Sequence, residues 1–363
     1  MPGVYISYPF CAQKCTYCNF ASGVFPRELE PSYVDELRAE LLKTEWPWTP
    51  ETVYLGGGTP SQMDPTALAS VLASVPGKPW REATIEAAPG GLTREKLLAW
   101  SEAGVNRVSL GVQSFVQKEL ARTGRKHTAE IVEREVALLR GCGIASISID
   151  LIAGLPGQTP ASWKESLDWI ERLGTPHVSV YMLEVDEDSR LGLEILNNGS
   201  RYGASDVPVE DAIADYYETA VERLTAMGME RYEISNFARR GFESIHNLKY
   251  WKREPYLGFG ADAHSFCGEM RWQNPENVAD YVAGFASPER TPADAVGEKF
   301  YLGLRLSEGI ADDTAPFAEV IGQFTSEGLV ERHEGRIRLT PRGVLLSNEV
   351  FAEFVGGVAP SVR

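Results

Sequence analysis

Along the first half of the chain, short apolar, β-rich runs alternate with stretches of helical periodicity. The runs predict strands over Val4–Ser7, Thr52–Leu55, Thr84–Ala87, Arg107–Leu110, Ser146–Leu151 and His177–Leu183. The stretches between them carry helix start and stop signals. Ser32 opens a helix whose Val34, Leu37, Leu41 and Leu42 form an apolar stripe, and Asp64-Pro65 supplies an N-cap and a first-turn proline to the next. Thr93 caps a helix ending at Gly104, His127 to Cys142 is closed by Gly143, and a helix from Pro160 stops at Gly174. Six such alternations predict an α/β fold with parallel strands, either a closed or nearly closed barrel or an open doubly wound sheet. Both gather their chemistry at the carboxyl ends of the strands.

The second half has a different texture. A helix is expected over Val209–Met227, followed by a loop-rich stretch to about Pro292. Val296–Arg305 and Ala315–Glu327 look helical, and residues 328–340 read as two short strands around a turn at Glu334-Gly335. A final helix at Pro341–Phe354 completes a winged-helix-like α+β unit. That shape binds DNA in many proteins, but no basic recognition stripe is present, so packing or substrate covering is the better reading.

With 363 residues and ordinary composition, the chain accommodates one large domain and a smaller one. Its net charge of −16 supplies no overall attraction for nucleic acid or an anionic membrane. No apolar stretch reaches bilayer-spanning length, which leaves at most a peripheral membrane association. Met1-Pro2-Gly3 leads straight into the first expected strand without a signal-peptide pattern. Unpaired cysteines suit the reducing cytoplasm.

Cys11, Cys15 and Cys18 fall in the spacing C-x3-C-x2-C, just after the first expected strand. Three thiolates can hold three irons of a [4Fe–4S] cluster and leave the fourth open to a small molecule. The competing reading is a zinc or structural site, but zinc wants four ligands and no second Cys or His pair follows at finger spacing. An odd count of five cysteines speaks against a disulfide framework. Gly56-Gly57-Gly58-Thr59-Pro60 follows the second strand, where glycine lets backbone approach a ligand closely. Glu86 and Asp150 are carboxylates in apolar strand contexts. They are either halves of buried ion pairs or partners for cofactor hydroxyl or ammonium groups. Gln113 and Arg125 could meet a ligand carboxylate, though Arg125 alone reads equally as a surface charge. His246, in the run His246-Asn247-Leu248-Lys249-Tyr250-Trp251, is either a heme ligand beside stacking aromatics or a hydrogen-bonded structural histidine, and His264 carries the same ambiguity. Cys142 reads as packing, and Cys267 has no assignment.

Taken together, these runs resemble the coproporphyrinogen-oxidase-like branch of the radical S-adenosylmethionine (SAM) superfamily, and within it the heme chaperones. The matching pieces are Tyr5 to Phe20, Gly56 to Ser61, Gly111 to Phe115, Asp150 to Gln158, Tyr232 to Ala238 and His246 to Ser265. The resemblance implies a partial (β/α)6 barrel at 1–208, a barrel extension and heme-binding segment at 209–292, and a smaller winged-helix-like domain at 293–363. It implies that Cys11, Cys15 and Cys18 ligate the cluster, and that Tyr5, Gly57, Gly58, Thr59, Glu86, Gln113, Arg125 and Asp150 contact SAM. By the same resemblance Tyr17 packs beside the cluster and His246 binds heme for delivery to respiratory or other hemoproteins. A homodimer is compatible with the family, although no interface signal stands out.

Two rival activities need the same cluster and SAM. One is oxidative decarboxylation of coproporphyrinogen III to protoporphyrinogen IX; the other is radical methyl transfer or cyclopropanation. The dehydrogenases of this branch carry a further cysteine where Phe20 stands and an N-terminal arm ahead of the first cysteine, here already residue 11. The sequence departs from the family at Ser7-Tyr8-Pro9, at Asn19 and at Ala88, neighbours that tune a cluster without ligating it.

Overall fold

The computed structural model describes residues 2–284 and 288–355. The parts of the expected segments at 1, 285–287 and 356–363 lie outside the described residues. Strands β1 (Gly3–Tyr8), β2 (Thr52–Gly57), β3 (Glu82–Ala87), β4 (Arg107–Gln113), β5 (Ser146–Ala153) and β6 (His177–Met182) pair in parallel in chain order. Helices α1 (Leu29–Lys43), α2 (Pro65–Ala73), α3 (Arg94–Ala103), α4 (Gln117–Arg122), α5 (Ala129–Gly141) and α6 (Pro160–Leu173) lie among the crossovers. This is the partial β/α barrel.

Strand alternation builds its two faces. Val4, Ile6, Val53, Leu55, Ile85, Val108, Leu110, Ile147, Ile149, Val178 and Val180 are essentially inaccessible and form the core under the helices. The intervening positions are polar or aromatic and face the lumen: Tyr5, Thr52, Tyr54, Glu86, Ser109, Asp150, His177, Ser179 and Tyr181.

The expected caps form. Asp64 accepts from the backbone of Thr66 and Ala67, Thr93 from Lys96, and Thr159 and Ser162 make a reciprocal capping box. Gly104 and Gly174 end their helices in the left-handed conformation. Helix α1 starts at Leu29, three residues ahead of the expected Ser32, because Pro31 fits a first helical turn that Glu28 leads without a side-chain cap.

After α7 (Arg190–Leu196) and α8 (Glu210–Ala226), the stretch expected to be loop-rich proves to be sheet. It holds β7 (Glu230–Arg231), β8 (Asn236–Ala238), α9 (Ile245–Trp251), β9 (Tyr256–Phe259), β10 (His264–Cys267), β11 (Met270–Gln273), α10 (Val278–Val282) and β12 (Thr291–Pro292). These strands are too short to show a period in sequence, yet they extend both barrel edges: β8 pairs antiparallel with β6, and β9 pairs parallel with β1.

The last unit comprises α11 (Ala295–Gly303), β13 (Ile310–Ala311), α12 (Ala318–Ser326), β14 (Val330–His333), β15 (Arg336–Leu339), α13 (Pro341–Leu345) and α14 (Ser347–Ala352). Its three-stranded antiparallel sheet runs β13-β15-β14, and the hairpin turns at Glu334 and Gly335, both at positive φ. The expected final helix is two, broken at Leu346 where φ and ψ reach −109° and 27°. Phe300, Phe317, Phe324 and Phe354 form its aromatic core.

Candidate functional site

The loop carrying Cys11, Cys15 and Cys18 leaves the carboxyl end of β1. The Cys11 N–H donates to the Gly23 carbonyl at 2.8 Å, closing the loop on itself. Across it, the Gly58 N–H donates to Tyr8 at 2.8 Å and the Thr59 N–H to Phe10 at 2.9 Å. The approach requires glycine, since a Cβ at Gly58 would lie 2.7 Å from the Pro9 carbonyl carbon. Gly57 takes a φ of +103° in the same turn. Thr59 Oγ1 stands 3.6 Å from Cys11 Sγ. All three cysteines are half-buried and unbridged. Burial raises the Cys11 thiol, with the Thr59 and Ser22 hydroxyls opposing it.

Arg125 ties this loop to the barrel. Its Nη1 donates to the Gly111 carbonyl at 2.6 Å while the guanidinium faces Tyr17 and Cys15. Burial acts against its charge, but Tyr17 and Cys15 outweigh that and raise its pKa. Gln113 reaches the same spot by a bulge at the end of β4, with a φ of +72°. Thus Cys15, Tyr17, Gln113 and Arg125, far apart in sequence, meet at one rim.

Deeper in the lumen, Tyr5 stacks on Tyr54 at 6.2 Å, and the Tyr54 hydroxyl donates to Glu86 at 2.9 Å. Burial pushes Glu86 up to about 7; the Tyr54 hydroxyl and the Gly57 N–H oppose the rise, and Asp150 adds to it. Burial also raises Asp150, against donation by Ser179 at 2.8 Å, Ser109 at 3.0 Å and Ser148 at 3.2 Å. Among the described residues neither carboxylate has a cationic side chain within ion-pair distance. Tyr181 is 43% exposed although it stands inside the arc, so this lumen is open.

The network continues to the base of the barrel. Ser148 shares a hydrogen bond with His177 Nδ1 at 2.7 Å, and His177 Nε2 with the Tyr232 hydroxyl at 2.8 Å. Tyr232 accepts from the Ser244 N–H, and Glu82 accepts from the backbone N–H groups of Ile245 and His246. His246 therefore sits where β1, β2 and β3 begin, at the opposite end from the cysteines. It is fully buried, stacked on Tyr54 at 5.2 Å. Its Nδ1 shares a hydrogen bond with Thr52 and its Nε2 with Tyr250, both at 2.8 Å. Burial pushes it down to about 3, assisted by Lys249. In this arrangement neither ring nitrogen is open to a metal. His264, by contrast, is exposed on β10.

The serines around Asp150, together with Tyr54, His177 and Tyr181, were not singled out from the sequence. Their signal is the strict alternation in Arg107-Val-Ser-Leu-Gly, Ser146-Ile-Ser-Ile-Asp and His177-Val-Ser-Val-Tyr, which assigns one polar face to three consecutive strands.

Among the described residues no three histidine, cysteine or carboxylate side chains converge as a single-ion site requires. A cluster needs a wider set, because each thiolate meets its own iron. Arg125 Nε is buried without a hydrogen-bond partner, a cationic donor suited to an anionic ligand group beside Cys15. The residues therefore fit a cluster with a carboxylate-bearing ligand on its open side.

A partial barrel with this cysteine loop, glycine turn and carboxylate-lined lumen defines a radical SAM protein. The sequence profile of the Radical SAM superfamily matches residues 5–170, and that of the HemN C-terminal domain matches residues 291–346. The chain is 34% identical to the heme chaperone HemW of Bacillus subtilis, covering 98% of this chain and 100% of that protein. It is 35% identical to heme chaperone HemW of Escherichia coli, over 72% of this chain and 69% of the relative. The solved structure of coproporphyrinogen III oxidase (HemN) from Escherichia coli superposes with a TM-score of 0.82 over 98% of this chain and 90% of that one. At 21% identity that likeness concerns the fold. The chain belongs to the HemW family. Membership of the radical SAM superfamily implies a [4Fe–4S] cluster and SAM.

Proposed function

We propose that this chain is a cytoplasmic heme carrier that delivers heme to hemoproteins, with a [4Fe–4S] cluster and SAM in the barrel. The observation that carries this reading is end-to-end identity with proteins named heme chaperone HemW. The exposed Phe20, in the position of the dehydrogenases' further cysteine, supports it over porphyrinogen oxidation.

When bound, the cluster supplies a single electron to the sulfonium of SAM. The chain's own residues do the rest. Cys11, Cys15 and Cys18 hold the irons, and Arg125 and Gln113 orient the SAM carboxylate. Gly57, Gly58 and Thr59 admit its ammonium against backbone, while Glu86 and Asp150 accept from ammonium and ribose hydroxyl groups. Tyr5 and Tyr54 keep water from the lower lumen, and Tyr17 packs over the cluster. Heme ligation by His246 requires one of its ring nitrogens to give up its hydrogen bond, to Thr52 or to Tyr250, so heme uptake through that residue is coupled to movement at the barrel base.

The test is a heme titration of cluster-reconstituted protein, followed in the Soret region, with thermal unfolding recorded for each variant. Saturable, near-stoichiometric binding is expected. His246→Gln, which can still bond Thr52 and Tyr250, separates ligation from packing: weakened binding at unchanged stability marks a ligand. Absence of saturable heme binding, combined with sustained 5′-deoxyadenosine formation on a porphyrinogen, would sink the carrier reading.

A further inference from the structure

Tyr232 lies in the turn between β7 and β8, yet its hydroxyl reaches His177 at the foot of β6. His177 pairs in register with Ser148 on β5, Ser148 with Ser109 on β4, and Asp150 with Ser179 on β6. Neighbouring strands thus set one histidine and three serines in a polar row around Asp150.

The protons in this row have one consistent placement. The Tyr232 oxygen accepts from the Ser244 N–H at 3.1 Å. Among the described residues, His177 Nε2 is the one acceptor within reach of the Tyr232 proton. His177 is 2% exposed. Burial, aided by the Arg107 guanidinium, lowers its pKa well below the ordinary histidine value, so the ring is neutral. With Tyr232 donating to Nε2, the ring proton sits on Nδ1 and is donated to Ser148 Oγ at 2.7 Å. Ser148 is left to donate its own proton to Asp150 Oδ1 at 3.2 Å. The opposite tautomer leaves the Tyr232 proton without an acceptor and turns the Ser148 proton away from Asp150.

Asp150 is unevenly served. Its Oδ1 accepts from Ser148, from Ser179 at 2.8 Å and from Ser109 at 3.0 Å, whereas Oδ2 meets only the Ser109 hydroxyl, also at 3.0 Å. The carboxylate is therefore clamped by one oxygen and keeps lone pairs on the other, and its side chain is only half-buried in the open lumen. Hydroxyl donors of this kind favour the ionised form.

We propose that His177 and Tyr232 are positioning residues for SAM. Their fixed tautomer aims Ser148 at Oδ1 and so presents Oδ2 to a donor group of the cofactor, without either residue touching it. The proposal rests on the reading that SAM occupies the lumen with Asp150 in contact.

The experiment measures SAM affinity by calorimetry on full-length, cluster-reconstituted protein, with iron and sulfide per chain and thermal unfolding recorded for each variant. His177→Leu, which removes both ring nitrogens, is expected to bind SAM about tenfold more weakly, the scale of one charge-assisted hydrogen bond. In an Asp150→Asn background the same substitution should change SAM affinity less than about twofold, because the row then has no charge to orient. A merely structural role would weaken binding equally in both backgrounds. Tyr232→Phe, close to the native shape, runs the same cycle should His177→Leu fail to fold, with a loss of about threefold expected. Nitrogen-15 NMR of histidine-labelled protein reads the tautomer directly. Wild type is expected to carry the His177 proton on Nδ1, its signal assigned by the shift in Tyr232→Phe. Unchanged SAM affinity in both variants, equal losses in both backgrounds, or a proton on Nε2 overturns the positioning role and leaves the SAM reading intact. Failure of wild type to bind SAM overturns that reading and the positioning role with it.

Discussion

Glu86 shows how a single residue is tuned by its setting. Buried between Tyr54 and Asp150, its folded pKa of about 7 exceeds the ordinary carboxylate value of 4.5. The folded chain therefore holds more protons than the unfolded chain between those values, and stability falls as pH rises through that window. Glu86→Gln should flatten this slope in denaturant titrations at pH 5 and pH 8. A cationic ligand such as SAM favours ionised Glu86, so its affinity should rise as pH passes about 7, and calorimetry on Glu86→Gln should show that rise removed. A slope that persists in the variant would shift the titration to Asp150. At this scale the cysteines, the glycines and both carboxylates were legible in sequence, because each is chemically conspicuous at a strand end. The base of the lumen was not. His246 reads as either ligand or packing from its neighbours, and only the positions of Thr52 and Tyr250 reveal that both its nitrogens are engaged.

At the scale of elements, two turns hold the site together. The loop after β1 and the turn after β2 touch through backbone at Gly58, where there is no space for a side chain. Gly58→Ala should push the cysteine loop away from β2 and lower cluster loading to well under half that of wild type, measured as iron and sulfide per chain. The rest of the barrel should stay folded, as judged by far-ultraviolet circular dichroism. Full loading in the variant would mean that the loop tolerates the shift. The major parallel strands and their helices were readable because periodicity and caps agree over many residues. Strands of two to four residues such as β7 and β8 offer no period to read, and their place is set by the edges they cover. Helix α1 was misplaced at its start because Pro31 can follow a cap or sit within a first turn.

At the scale of the whole molecule, the C-terminal unit is tied to the barrel extension by charge. Glu298 on α11 is nearly inaccessible and meets Arg253 Nε at 2.6 Å and Arg271 Nε at 2.5 Å. Arg305 lies over Trp251 of α9 and Phe351 of α14, joining the same parts through aromatic faces. Glu298→Ala removes the shared carboxylate while Arg253 keeps Glu269 and Arg271 keeps the Tyr256 hydroxyl, so it should destabilise by about 1.5–3 kcal/mol, the scale of a lost charge-assisted hydrogen bond. Urea denaturation checks the size. A loss below about 1 kcal/mol would mean the aromatic contacts alone carry the junction.

Helix α9 has a mechanical meaning as well. The six parallel strands form an arc, and the chain passes from β8 on one edge to β9 on the other through this one short helix. His246 and Lys249 seat it, contacting Thr52 at the foot of β2 and Glu51 just before it. The arc is thus belted at the foot by α9 and clasped at the rim by the cysteine loop, whose Thr16 carbonyl accepts from the Leu191 N–H at 2.8 Å and whose Asn19 donates to Asp186 at 3.2 Å. A bulky guest that enters the arc from the rim must therefore part these contacts, while α9 holds the foot.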